Sequence, residues 1–276
     1  MISTRTKVWF FLLLLCFSFL AIGQRLGDRT GLLLGFLLAI VVNSLVFFWG
    51  DTRILRAVQA TELKGRDPWS LNERVLHLSK KLACEPARVY LMESKTPTAF
   101  SMGFSVRRPS VCISTALLEK FSSKDVEVVL AQQLCHMSRT DSLGFGVASV
   151  LANSLLGIAQ AIDQLWPPNF FLSKNQKPFL SLASIPTWLI LRGVANRSAY
   201  GEDDREAAAL IQDRERLGEV LWRLDGYAQA RPLEIPPATG HLFIVNPEGF
   251  QQRNYFLRLH PPMAERLSLL IGTPTV

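Results

Sequence analysis

The sequence predicts an α+β fold: a mostly helical domain with a small sheet, attached to an N-terminal hairpin of two apolar helices. Three observations carry this. Two uncharged apolar runs, Val8 to Gly23 and Gly31 to Gly50, open the chain, and each approaches the roughly 20 residues that a membrane helix needs. Two short β-rich runs, Arg88 to Met92 and Ser110 to Ser114, follow close together. Around and beyond them apolar residues recur at helical spacing.

With 276 residues, 49% of them hydrophobic, the chain can fill one sizeable core and also enter a membrane. Residues 1–52 hold the expected transmembrane hairpin, with helices over about 8–23 and 31–50, and residues 53–276 form the main domain. A secretory signal peptide is the rival reading of the first run, since Arg5 and Lys7 precede it. The second run begins after a link of only seven residues, Gln24 to Thr30, and this favours a retained hairpin. Arg53, Arg56, Lys64 and Arg66 follow the hairpin, so the positive-inside rule places both its ends in the cytoplasm; Arg25 and Arg29 in the link weigh the other way. The net charge of +7 suits an anionic inner leaflet. No basic run with interleaved aromatics is present, which argues against a nucleic-acid partner. The four cysteines share no CxxC spacing and read as buried thiols in a reducing compartment.

Each element then has its own signal. Asp67 to Ala83 is helical in period, with Ser70 as its cap, and Glu85-Pro86 ends it. The two strands flank Thr98 to Gly103 and a basic turn at Arg107-Arg108-Pro109. Thr115 to Phe121 is a short helix, and Ser123 caps a longer one from Lys124 to about Ser138, with Glu127 near its first turn. Two further apolar runs, about 142–166 and 179–194, are open to three readings: spanning the bilayer, lying against it, or packing inside the domain. Asn153, Gln160 and Asp163 interrupt the first and Pro186 the second. Gly201 to Leu224 reads as one charged amphipathic helix, and a Pro-rich loop runs from Arg231 to Pro237.

The chemistry centres on Gln132-Gln133-Leu134-Cys135-His136. A zinc-protease helix carries His-Glu-x-x-His, two imidazoles one turn apart with a glutamate beside the metal-bound water. Here the apolar approach through Val126, Val128, Val129 and Leu130 is intact, and so is the second histidine. Gln132 stands at the first ligand position and Gln133 at the general-base position. An amide supplies no anionic base and is a poor zinc ligand beside imidazole.

In order along the chain these pieces resemble the M48 family of membrane zinc metallopeptidases, in particular the HtpX-like heat-shock proteases. Val89-Tyr90-Leu91-Met92 with Thr98-Ala99-Phe100-Ser101-Met102-Gly103 is similar to the family's strand and Asn-Ala-Phe-Ala-Thr-Gly segment. Val129 to His136 falls where the family has Val-Leu-Ala-His-Glu-(Ile/Leu)-Ser-His, and His260 to Leu267 resembles its closing His-Pro-Pro-x-x-x-Arg-Ile. The resemblance implies a zincin-like domain, a multi-pass protein of the bacterial inner membrane with its main domain in the cytoplasm, and a part in protein quality control. It implies zinc only if the ligands survive. The family's third ligand, a glutamate in Arg-Glu-Tyr-x-Ala-Asp, falls on Ala199 or Tyr200 of Arg197-Ser198-Ala199-Tyr200-Gly201-Glu202-Asp203-Asp204, according to which aspartate is matched. Only Glu202 or Glu206, brought inward by a local shift, would restore a carboxylate.

The expectation is therefore a pseudopeptidase without a cofactor, in which His136 is a vestige. Such a protein would bind a membrane-protein segment, or regulate or scaffold a protease or other membrane complex. Thr98 to Gly103 is the expected peptide-binding segment, because pairing with an added strand needs backbone groups and no metal. Two alternatives stay open: an active zinc endopeptidase with an atypical site around His136 and Glu202 or Glu206, and a structural component of a membrane assembly. His77 and His241 read as surface residues, and Asp141, Asp203 and Asp204 as a solvated patch or partners of Arg139.

Overall fold

The computed structural model describes residues 4–102, 109–139, 142–165, 178–194, 197–235, 239–249 and 260–272. Gly103, Arg107, Arg108, Asp141, Pro236 and Pro237 lie outside them, as does the side chain of Arg139.

Helix α1 (Thr4–Ala57) is two arms joined at Gly27 and Asp28, where the backbone leaves helical geometry. The turn is tighter than the sequence suggests, for the rest of the expected link is helical. The arms meet backbone to backbone: a Cβ on Gly31 would fall 2.0 Å from the Gly23 carbonyl oxygen, and one on Gly35 would fall 2.4 Å from that of Phe19. Among the described residues, no helix is long and apolar enough to cross a membrane.

Strands β1 (Thr61–Glu62), β2 (Arg88–Met92), β3 (Ala99–Met102) and β4 (Ser110–Ser114) form one mixed sheet in the order β1-β2-β4-β3. β2 and β4 run parallel, with Arg88 opposite Ser110, while β3 runs antiparallel to β4, with Phe100 opposite Cys112. Side chains alternate between the two faces, and both faces are covered. Val89, Ala99, Val111 and Ile113 enter one core with α2 (Leu71–Lys81), α4 (Ser123–Arg139), α7 (Arg197–Ile211), α8 (Arg214–Ala230) and α9 (Met263–Ile271). Met92, Phe100, Met102 and Cys112 enter the other, against Ile54 and Leu55 of α1, Leu151 to Leu156 of α5 (Ser142–Leu165) and Leu191 of α6 (Pro178–Val194). Short α3 (Thr115–Lys120) links β4 to α4.

Three helix ends differ from their expected form, each for a local reason. Ser70 makes no side-chain cap; Asp67 Oδ2 accepts from the Asn72 amide at 2.8 Å instead. At α4 the cap is Ser122, which trades bonds with Asp125 in a capping box, while Ser123 accepts bonds from Arg74. The single helix expected over Gly201 to Leu224 is two, because Gln212 takes a left-handed φ of 58° and Asp213 caps α8 through the Arg216 amide. Asp163, which interrupts the apolar α5, serves the helix that follows, since its carboxylate accepts the Phe179 and Leu180 amides at the start of α6.

Candidate functional site

Helix α4 crosses the first core with Gln132, Gln133 and His136 on the face toward α7, and all three are buried. Positions 132 and 136 share a face because residues four apart stack along a helix. The same rule brings Tyr200 and Asp204 of α7 together opposite them.

His136 Nδ1 donates to Asp203 Oδ2 at 2.7 Å. A carboxylate behind an imidazole is the arrangement that orients a metal-ligating histidine, so the support of a ligand persists here. The rest of the site is a chain of amide, carboxylate and guanidinium groups. Gln133 Nε2 donates to Gln132 Oε1 at 2.8 Å, and Gln132 Nε2 donates to Asp204 Oδ1 at 3.2 Å. Arg266 of α9 closes this ladder with two bonds to Asp204, at 2.7 and 2.8 Å, and a third to the Ile244 carbonyl at 2.6 Å. Arg266 and Asp204 are both almost wholly buried. Burial alone would lower the guanidinium pKa, but the Asp204 carboxylate outweighs it and keeps the charge in place. Among the described residues Gln133 Oε1 is buried with no hydrogen-bond partner.

Tyr200, one of the two residues matched to the third ligand position, packs against this face. Its ring stacks on His136 at 5.6 Å between centroids and touches His260 at 4.8 Å. Its hydroxyl donates to the His241 carbonyl at 2.8 Å, and burial raises its pKa, so the phenol stays protonated. Glu202 lies on the exposed side of α7 and Glu206 is half-buried.

These donors do not fit a catalytic zinc, which takes three protein ligands and a water. Among the described residues, His136 is the one imidazole that α4 and α7 bring to this face. Gln132 Oε1 already accepts from Gln133, both Asp204 oxygens hold Arg266, and the Tyr200 oxygen is a neutral phenol. Among the described residues, no group of three His, Cys, Asp or Glu side chains is arranged for a metal. This set supports no hydrolytic step, and Gln133 has no proton-accepting anion to offer.

Thr98 to Met102 are buried throughout, and the outer edge of β3 is not bare, contrary to the expectation of an open strand. Phe243 forms a β-bridge to Phe100, and the Ile244 amide donates to the Ala99 carbonyl at 3.0 Å. Two further expectations are corrected. His241 is buried, because a 3₁₀ turn at Gly240–Leu242 tucks beneath β3. Asp203 and Asp204 are no solvated patch, since both are buried and bonded to His136 and Arg266. His77 is exposed as expected. Arg266 has little prominence in the sequence; its signal was a cation on a short apolar helix, next to Glu265 and beside Leu267 and Leu270.

No family model matches the chain. It is similar along nearly its whole length to proteins named Protease HtpX or its homologues. It is 29% identical to that of Legionella pneumophila strain Corby, over 90% of this chain and 91% of that one. It is 25% identical to that of Pelotomaculum thermopropionicum, over 96% and 97%, and 26% identical to that of Campylobacter concisus, over 96% and 95%. Among solved structures it resembles Ste24p of S. mikatae, with a TM-score of 0.52 and 14% identity, over 93% of this chain and 62% of that one. The last likeness is one of fold.

Proposed function

We propose that this HtpX-like chain is a non-catalytic membrane pseudopeptidase, which binds a membrane-protein segment or scaffolds a protease or other membrane complex. The observation that carries this is the closed ladder Gln133–Gln132–Asp204–Arg266 standing where a metal and its base would be. Every polar atom that could be turned toward a metal from Gln132, Asp204 or Tyr200 is already committed.

The surface of α1, α5 and α6 supports a membrane setting. Leu13, Phe17, Leu33, Leu37 and Ile40 of α1 and Leu182, Ile185 and Leu189 of α6 point outward, while Gly31, Gly35, Ser184 and Thr187 are buried. Large apolar side chains outside and small or hydroxylated ones inside is the pattern of helices packed in lipid. Arg5 and Lys7 before the hairpin, and Arg53 and Arg56 after it, favour a cytoplasmic main domain.

The relatives' printed names favour a second reading, a working protease. Elemental analysis of the detergent-purified chain beside a His136→Ala variant separates the two. The pseudopeptidase predicts metal well below one atom per chain in both. Near-stoichiometric zinc that vanishes with His136 overturns it.

A further inference from the structure

The segment Gly240–Ile244 is held in an unusual way. Among the described residues, one β-bridge and one backbone bond tie it to β3, at Phe243 and Ile244. Continuing that register would set Leu242 opposite Ser101, but residues 240–242 have already turned into a 3₁₀ helix. The remaining hold comes from side chains of other elements. The Gly240 carbonyl lies 2.8 Å from His260 Nε2, that of His241 accepts from the Tyr200 hydroxyl, and that of Ile244 accepts from Arg266. A carbonyl only accepts, so His260 carries its proton on Nε2. Phe243 meanwhile lies on the Phe100 ring, at 4.7 Å between centroids, in the core shared with α1 and α5. Ile244 and Val245 enter the other core.

We propose that Tyr200, His260 and Arg266 form a clamp that keeps Gly240–Ile244 resident on the outer edge of β3, and that the partner is an extended apolar chain which replaces this segment with an aromatic side chain beside Phe100. The proposal rests on the reading of β3 as the partner-binding edge. It names what the edge selects. An occupant must lend a backbone N–H to Ala99, fill the place of Phe243, and carry no charge into two buried cores. A segment of a membrane protein has that composition. The clamp also sets the affinity, because a partner binds only the fraction of molecules whose edge is free.

The test uses the full chain in detergent micelles and a fluorescein-labelled peptide with the sequence of residues 239–249. Ile244→Pro removes the N–H that Ala99 accepts, and this variant should bind the peptide about tenfold or more tightly than wild type. Adding Phe100→Ala should undo the gain. Equal binding by wild type and Ile244→Pro, or a gain indifferent to Phe100→Ala, overturns the proposal. Amide exchange keeps the test independent of how that variant folds. In wild type the Ile244 amide should exchange ahead of Leu130 and Leu134 in α4, and Tyr200→Phe should speed it by roughly two- to tenfold, the worth of one hydrogen bond. Exchange of Ile244 only together with Leu130 and Leu134, in both proteins, makes the segment a fixed part of the core and sinks the clamp. Release without peptide capture sinks the edge as partner site. Neither readout depends on zinc, so failure of the pseudopeptidase reading would show separately.

Discussion

The two cores on either side of the sheet are built by opposite rules. The α4–α7–α9 core is apolar but threaded by a ladder of buried polar groups that runs from Gln133 through Gln132 and Asp204 to Arg266. The α1–α5–α6 layer puts large apolar residues outside and brings its helices together over glycine, alanine, serine and threonine. In the first, stability depends on polar groups being matched, because an orphaned buried charge is costly. In the second it depends on close approach, since a Cβ added at Gly23, Gly31 or Gly35 would fall 2.2, 2.0 or 2.4 Å from a backbone oxygen. One core therefore fails when a buried polar group loses its partner, and the other when a bulky side chain enters a helix contact.

Breaking the ladder at its cation should have the largest effect. Arg266→Met leaves Asp204 buried beside Gln132 without its partner and should cost about 3–5 kcal/mol in denaturant unfolding. Removing both charges, as Arg266→Met with Asp204→Leu, should recover much of that loss; a double variant no better than the single would contradict the account of a paired charge. In the other layer, Gly35→Leu drives a side chain into the Phe19 carbonyl. It should cost about 1–3 kcal/mol, whereas Leu37→Ala on the outward face should leave the melting temperature in detergent nearly unchanged. Equal effects at the two sites would erase the contrast between the faces.

A smaller effect belongs to pH. Burial holds the His260 imidazole neutral, its pKa pushed down from 6.5 to about 3. Arg266, His241 and His136 add to that push, while the Gly240 carbonyl opposes it. The unfolded chain therefore binds the extra proton between about pH 6.5 and pH 3, and the folded chain does not. This contribution to stability is complete above about pH 6.5 and is lost as pH falls toward 3. His260→Gln keeps an N–H for Gly240 and should flatten the fall in melting temperature over that window. Asp125 acts lower down: although desolvation works against it, the Arg216 and Ser122 bonds hold its carboxyl below the ordinary value, so its contribution is lost as pH falls below about 3.8. Arg216→Ala should be the mildest change of all, within about 1 kcal/mol, since Arg216 is partly exposed and Asp125 keeps its contacts with Arg223 and Ser122.

Much of the fold was legible along the chain because it rests on local rules. The strands at Arg88 to Met92 and Ser110 to Ser114 follow from β-rich runs, and α3 begins at Thr115 as expected. The helix ends that differed turned on competition between neighbouring caps, Asp67 against Ser70 and Ser122 against Ser123, which composition does not rank. The break at Gln212 and Asp213 was hidden because α7 and α8 are both charged and amphipathic. At the site, residue types alone marked the loss of the first ligand and the base, but not what took their place.

The amino-acid sequence alone carries the chemistry: Gln132 offers an amide oxygen where a zinc peptidase has an imidazole nitrogen, and Gln133 has no anion to act as a base. What only the tertiary structure decided is relational. That Tyr200 stacks on His136, that Arg266 crosses from α9 to Asp204, and that Gly240–Ile244 lies on the edge of β3 all join residues far apart along the chain. Such pairings are set by how helices and sheet pack around a shared core, and spacing along the chain carries no trace of them.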